Sequence, residues 1–335
     1  MRSARRAVLV SVLALAGACG DDDGLVAADA TTSLDGPPIE AAPPDAARPD
    51  VGPDGSDAHD AGADASALAR VREPLLGAEG HEVLFVGNSY VFTNDVPGRY
   101  RAIAETLPPT PLRIETVAYG GYTLAQHAAD AAGDSALATW LVSGTDDMRG
   151  FDVVVLQEQS QLGGFPAGHP ARNESLAAAS ALAALATANG SAVVLYLTWG
   201  RERGDPKNAL FETFEEMQRR LDESYRVMAE RLRGEGAHVR IAPVGVGFRV
   251  IYDDVVAAGD DPLLEGSAFD ALYEADGSHP SAQGAYLAAC IFAAAVTGYD
   301  PAVFPDDPAL GDTASLALRD VAHRVMTDPE WATDE

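Results

Sequence analysis

The sequence predicts an α/β fold in which one parallel sheet is covered by helices on both faces. Five short runs of mostly branched apolar residues recur between residues 78 and 330, and each stops at a polar or turn-forming segment. Segments of helical period stand between these runs. The runs are apolar throughout rather than alternating, as expected for strands buried on both faces.

The first run, Glu82-Val83-Leu84-Phe85-Val86, ends at Gly87-Asn88, a pair suited to a tight turn. Ser89 therefore falls at the carboxyl end of a strand, ahead of a helix predicted from about residue 96. Residues 112–117 form a second strand that stops at Tyr119-Gly120-Gly121, with a helix predicted over 124–141. Residues 151–156 are the third strand, followed by a loop and an Ala-rich helix over 174–188. Residues 192–197 are the fourth, and Thr198-Trp199-Gly200-Arg201 stands at its end. In the long helix that follows, Phe211, Phe214, Met217, Leu221, Tyr225, Met228 and Leu232 recur every three or four residues, a core-facing stripe rather than a cofactor box. Residues 239–244 are the fifth strand, 246–257 another helix, and a final small-residue helix begins near Ser281.

In an open parallel sheet, ligands bind outside the carboxyl ends of the strands. Those ends carry Ser89, Gly120-Gly121 and Gln157-Glu158-Gln159-Ser160, while Asp276-Gly277-Ser278-His279 sits in the loop leading into the final helix. An Asp three residues before a His can orient the ring and stabilise its protonated form, and the His can then take the proton of Ser89. Acyl transfer further needs a backbone N–H where the chain can approach closely and an amide to share the negative oxygen, roles open to Gly121 and Gln159. The plain structural readings are an ordinary turn for Gly120-Gly121 and loop solvation for residues 157–159. Trp199 and Arg201 fall on the same rim, where Trp199 would stack on a sugar or acyl group and Arg201 would contact a polar substituent; the alternative is a core tryptophan and a surface ion-pair partner. His127 and His238 are expected at surface or edge positions, whereas His169, in the glycine-rich loop after the third strand, could form part of the substrate rim. No His/Asp/Glu grouping has metal-ligand spacing, and Gly87-Asn88-Ser89-Tyr90-Val91-Phe92 is not the phosphate-binding G-x-G-x-x-G, so neither metal nor cofactor is expected.

Ahead of this domain, Met1-Arg2-Ser3-Ala4-Arg5-Arg6 is basic and residues 7–16 are apolar but short for a membrane span, which reads as an export signal over 1–18. Leu15-Ala16-Gly17-Ala18-Cys19 resembles a bacterial lipobox with Cys19 as the lipidated residue; ordinary signal peptidase cleavage after Ala16-Gly17-Ala18 is the alternative. Cys290 is left without a disulfide partner. Residues 19–70 are rich in Asp, Ala, Pro and Gly and cannot bury enough surface to offset chain entropy, so they are expected to form a solvated tether, leaving 71–335 as one domain. The formal net charge of −28 argues against a nucleic-acid partner, since no stretch concentrates Lys and Arg.

With these blocks in place, the chain resembles the SGNH (GDSL-like) hydrolase family, mostly esterases, lipases and carbohydrate deacetylases with a flavodoxin-like three-layer αβα sandwich. Gly87-Asn88-Ser89 matches the first block, with Asn88 in place of the commoner Asp; Gly121 matches the second-block glycine, and Asp276-Gly277-Ser278-His279 matches the fifth block. The third block departs from Gly-x-Asn-Asp, so Gln159 stands where an oxyanion asparagine is expected and Ser160 where an Asp is. The resemblance implies a cofactor-independent serine esterase with Ser89 as nucleophile, His279 as base and Asp276 as its partner. The N–H groups of Ser89 and Gly121 and the Gln159 amide would hold the oxyanion. Its substrate would be a small-molecule or polysaccharide ester, such as O-acetyl groups on extracellular or envelope carbohydrates. The altered third block keeps a second expectation open, a carbohydrate-binding lipoprotein that retained the fold and lost the chemistry.

Overall fold

The computed structural model describes residues 69–75, 81–108, 112–143 and 150–332. The expected signal peptide, Cys19 and all of the tether except its last two residues lie outside them. Those two belong to the folded domain: the Ala69 carbonyl accepts from Asp300 N–H at 3.0 Å, and the Arg70 guanidinium donates to the Thr297 carbonyl and the Tyr299 hydroxyl. The domain therefore starts before residue 71, because Arg70 lies over the Tyr299 ring.

Five parallel strands, β1 (His81–Gly87), β2 (Leu112–Ala118), β3 (Val153–Leu156), β4 (Ala192–Tyr196) and β5 (Val239–Ala242), pair in the order β2-β1-β3-β4-β5. The side chains of residues 83–86, 153–156 and 193–196 are fully buried, which explains their unbroken apolar character. Each such side chain contributes roughly 1.5–3 kcal/mol of hydrophobic stabilisation. The order reverses between β1 and β3, and this switch point opens a crevice at the carboxyl ends of those strands.

The helices form the outer two layers of a flavodoxin-like αβα sandwich. On one side a short α1 (Ser89–Phe92) precedes α2 (Val96–Ala104), which packs against α8 (Ala282–Thr297), and α8 in turn packs against α9 (Asp312–Thr327). On that side Phe85 of β1 meets Tyr100 of α2 and Phe292 of α8 edge-on. α3 (Leu124–Ala131), α5 (Pro170–Ala188) and α6 (Phe214–Gly234) form the other layer, and α7 (Val244–Ala257) follows β5 and touches both α6 and α8. Every residue of the predicted aromatic and aliphatic stripe on α6 is buried, although Phe211 precedes the helix, which starts after the Thr213 cap.

One predicted helix is broken. Over 124–141 the chain forms α3, then a short α4 (Ala136–Ala138) and a wider turn at Thr139–Ser143. Ser135 causes the restart, because its hydroxyl caps the N–H of Ala138 at 3.0 Å. The C-terminal α9 is followed by α10 (Pro329–Ala332), which packs against it.

Candidate active site

The nucleophile candidate is presented by a turn built from both sides. Asn88 is the N-cap of α1: its Oδ1 accepts from Tyr90 N–H at 3.1 Å, and its Nδ2 donates to the Tyr122 carbonyl at 2.9 Å. Ser89 is thus the first helical residue rather than a residue of an open turn. Gly87 is required by close approach, since a Cβ there would lie 2.5 Å from Gln157 Oε1 and 2.7 Å from Val91 Cγ2. That same Gln157 Oε1 accepts the Asn88 backbone N–H at 2.8 Å.

The loop before α8 carries the candidate base, His279. His279 Nε2 lies 2.8 Å from Ser89 Oγ, and His279 Nδ1 lies 2.5 Å from Asp276 Oδ2. With a carboxylate at Nδ1, that nitrogen carries the proton and Nε2 accepts from the serine hydroxyl. Asp276 is itself oriented by the backbone, its Oδ1 accepting from the N–H groups of Ser278 and His279, each at 2.9 Å. Gly277, at φ +64, makes this tight return possible. Partial burial raises the Asp276 carboxyl, but the hydrogen bonds from the His279 ring and from these N–H groups outweigh it and hold it below its ordinary value. The carboxylate is therefore ionised at neutral pH and can stabilise an imidazolium.

Gly121 stands in the loop after β2 at φ +70, and the bond from Asn88 to Tyr122 ties this loop to the serine turn. Among the described residues, neither the Ser89 nor the Gly121 backbone N–H has a protein acceptor. The β3 end divides its labour differently from the sequence expectation. Gln159 Oε1 accepts from Gln161 N–H at 2.9 Å and its Nε2 donates to Ser160 Oγ at 3.3 Å, so its amide is engaged in its own loop. The amide that reaches the nucleophile turn is Gln157. Neither Gln157 nor Glu158 is a solvated loop residue; both are buried. Burial raises the Glu158 carboxyl, opposed by hydrogen bonds that include those its Oε1 accepts from the N–H groups of Gln159 and Leu124.

Two further expectations need correction. Trp199 has no exposed surface and cannot stack on a substrate: its ring lies between Tyr90 at 4.8 Å and Phe248 at 4.5 Å, and its Nε1 donates to the Ser278 carbonyl at 2.9 Å. It supports the histidine loop from inside. His127 is not at the surface but fully buried, its Nε2 donating to the Gly87 carbonyl at 2.7 Å, and burial lowers its pKa. Its spacing from Leu124 and Ala131, the other buried residues of α3, is the sequence signal that marks it as inward-facing. Arg201 does lie at the rim, with its side chain 31% exposed, paired with Asp205 at 3.4 Å and reaching Ser160 Oγ at 3.5 Å. His169 caps α5 through the Ala171 N–H. Among the described residues no three His, Cys, Asp or Glu side chains converge as metal ligands.

No protein-family model and no curated protein matches this sequence significantly. Solved structures do. A DUF4886 family protein from Bacteroides uniformis superposes with a TM-score of 0.54 at 17% identity, over 76% of this chain and 98% of that one. A protein assigned as an SGNH hydrolase from Slackia heliotrinireducens aligns at 27% identity and a TM-score of 0.48, over 65% of this chain and 99% of the other. An acetylxylan esterase from Geobacillus stearothermophilus aligns at 15% identity and a TM-score of 0.44, over 66% and 95% of the two chains. With its β2-β1-β3-β4-β5 parallel sheet between two helical layers, this chain has the fold of the DUF4886 family protein, and it sets a serine at the β1 exit against a histidine from the loop before α8.

Proposed function

We propose that this protein is a serine esterase in which Ser89, His279 and Asp276 form the catalytic triad. The observation that carries the reading is the continuous chain Asp276 Oδ2, His279 Nδ1, His279 Nε2, Ser89 Oγ, with 2.5 Å and 2.8 Å links, at the switch point of the sheet. Ser89 Oγ attacks the ester carbonyl while His279 Nε2 takes its proton, and Asp276 stabilises the imidazolium. The backbone N–H groups of Ser89 and Gly121, which have no protein acceptor among the described residues, suit the developing oxyanion. His279 then returns the proton to the leaving alcohol. Water attacks the acyl-enzyme with the same base and releases the acid.

For the alcohol half, the rim supports a hydroxyl-rich, carbohydrate-like group carrying an O-acetyl ester. Arg201, Asp205, Ser160 and Gln161 form a linked polar edge there, suited to hydroxyl groups rather than to a long acyl chain. The basic leader and Cys19 extend the proposal to an exported enzyme anchored to a bacterial membrane by a lipid on Cys19. Cys19→Ala would then move the protein from the membrane fraction to the soluble fraction.

The test is hydrolysis of p-nitrophenyl acetate, butyrate and octanoate, and acetate release from acetylated xylan, by wild type and Ser89→Ala. The expected result is turnover of acetate esters that disappears in Ser89→Ala, with acetyl preferred over octanoyl. Folded wild type without Ser89-dependent turnover on any of these substrates would overturn the esterase assignment. Equal turnover of octanoate, with none on the polymer, would overturn the carbohydrate assignment alone.

A further inference from the structure

Ser89 and His279 are 190 residues apart in sequence, so their 2.8 Å contact has to be set by tertiary structure. The segment that carries the serine reaches back to the histidine loop twice. The Tyr90 hydroxyl shares a hydrogen bond with Ser278 Oγ at 2.7 Å, and Asn94 Nδ2 donates to the Pro280 carbonyl at 2.8 Å and to Glu274 Oε1 at 2.6 Å. The residues immediately before and after His279 are therefore both held from the stretch 89–95. The Tyr90 ring also meets the imidazole edge-on at 5.6 Å and stacks at 4.8 Å on Trp199, the residue that holds the Ser278 carbonyl.

Asn94 holds its position at a conformational cost. It has φ 54 and the next residue, Asp95, has φ 53, a left-handed region that Asn and Asp enter at lower cost than other L side chains but that glycine enters most freely. Arg99 Nε fixes the Asn94 carbonyl at 2.8 Å, and Asp95 caps α2 through the Gly98 N–H at 3.0 Å. Glycine would occupy this backbone without strain, but it has no amide to reach the loop.

We propose that Tyr90 and Asn94 are positioning residues that clamp the histidine loop on either side of His279 and so set its reach to Ser89. This inference rests on the esterase reading of Ser89 and His279. It differs from a purely structural brace in one consequence: activity and stability separate. Asn94→Gly relieves the left-handed strain while removing both amide bonds, and Tyr90→Phe keeps both ring contacts while removing the bond to Ser278.

The experiment compares full-length wild type, Ser89→Ala, Tyr90→Phe and Asn94→Gly. It measures Tm, kcat and KM on p-nitrophenyl acetate, and the low-field proton resonance of the His279 Nδ1–H that faces Asp276. The expected result is a loss of kcat of about tenfold or more in each clamp variant, because a misplacement of about an ångström suffices for such losses. KM stays near that of wild type, the low-field resonance moves or broadens, and the Tm of Asn94→Gly is equal to or above that of wild type. Wild-type kcat in both variants, or losses that follow a fall in Tm, would overturn the clamp. Where wild type itself shows no Ser89-dependent turnover, the esterase reading fails and the resonance judges the clamp: unchanged in both variants refutes it, displaced supports it.

Discussion

Asp276→Asn is the substitution whose outcome follows most directly from the geometry. An amide oxygen at the Oδ1 position keeps the hydrogen bonds from the Ser278 and His279 N–H groups, so the loop and its fold persist. The amide nitrogen then faces His279 Nδ1 and donates to it, which requires that nitrogen to be unprotonated. The ring proton moves to Nε2 and points at Ser89 Oγ, so the base becomes a donor. Restoring the productive tautomer sets two N–H groups against each other and loses a charge-assisted hydrogen bond worth roughly 1.5–3 kcal/mol, about tenfold to 150-fold in rate. Losing the carboxylate opposite the imidazolium adds to this; in a serine-protease triad with a buried Asp the same change costs about ten-thousandfold in kcat. The Asp276 side chain is 50% exposed, and solvent screens it. The expected loss is therefore nearer the low end, roughly a hundredfold to a thousandfold in kcat with little change in KM. The assay is steady-state hydrolysis of p-nitrophenyl acetate beside a thermal melt. A folded Asp276→Asn enzyme within about threefold of wild-type kcat would refute the assigned role.

Gly87→Ala places a methyl carbon against Gln157 Oε1 and Val91; overpacking of about 1–3 kcal/mol should appear as a lower urea midpoint, with kcat falling as the serine turn shifts. Gln157→Ala leaves the buried Asn88 N–H unpaired, about 1–3 kcal/mol, whereas Gln159→Ala removes only contacts within its own loop; Gln157→Ala should be the more damaging of the two in both Tm and kcat. His81 is buried against the Tyr100 hydroxyl, and burial lowers its pKa from 6.5 to about 4. Its neutral form is favoured in the fold, so its contribution is complete above pH 6.5 and is lost as pH falls toward 4, about 3 kcal/mol in all. Burial raises Asp222 to about 6 and acts in the opposite sense, so the check is the difference between wild type and His81→Gln in urea unfolding across that pH range. Parallel curves would refute the assignment.

What the sequence revealed of this site was local. A strand that stops at Gly87-Asn88 and an Asp three residues before His279 are short-range patterns, and the structure brings Ser89, His279 and Asp276 together as those patterns require. The five strands were legible for a similar reason, each being a buried run with its own turn. The broken helix after β2 was less so, because its apolar spacing continues through Gly133-Asp134-Ser135 and only the Ser135 cap marks the restart. Assigning the glutamines at the β3 end needed the pairing of β1 with β3: Val86 lies opposite Leu156, which puts Gln157 behind the serine turn. Trp199 and Arg201 are two residues apart at one strand end, yet one is sandwiched between Tyr90 and Phe248 and the other reaches the rim. No spacing rule separates them, since burial there is decided by α1 and α7, elements distant in sequence.

In the proposed reaction, the β3 end supports an oxyanion site that does not use the expected third-block asparagine. Gln157 fixes the Asn88 N–H, and Glu158 accepts the first N–H of α3, the helix that begins just after Gly121. Asn88 closes the circuit by donating to Tyr122 in that same loop, and His127 of α3 holds the Gly87 carbonyl. All four side chains are buried, where hydrogen bonds are stronger than in water and rearrangement is costly. Gln157 and Glu158 thus face backwards, onto the two backbone segments that present Ser89 and Gly121, instead of forwards to substrate. In the proposed reaction the oxyanion donors are then backbone N–H groups, held by buried side chains before substrate arrives. Such donors need no reorganisation as charge develops, which is the condition under which they accelerate the reaction most.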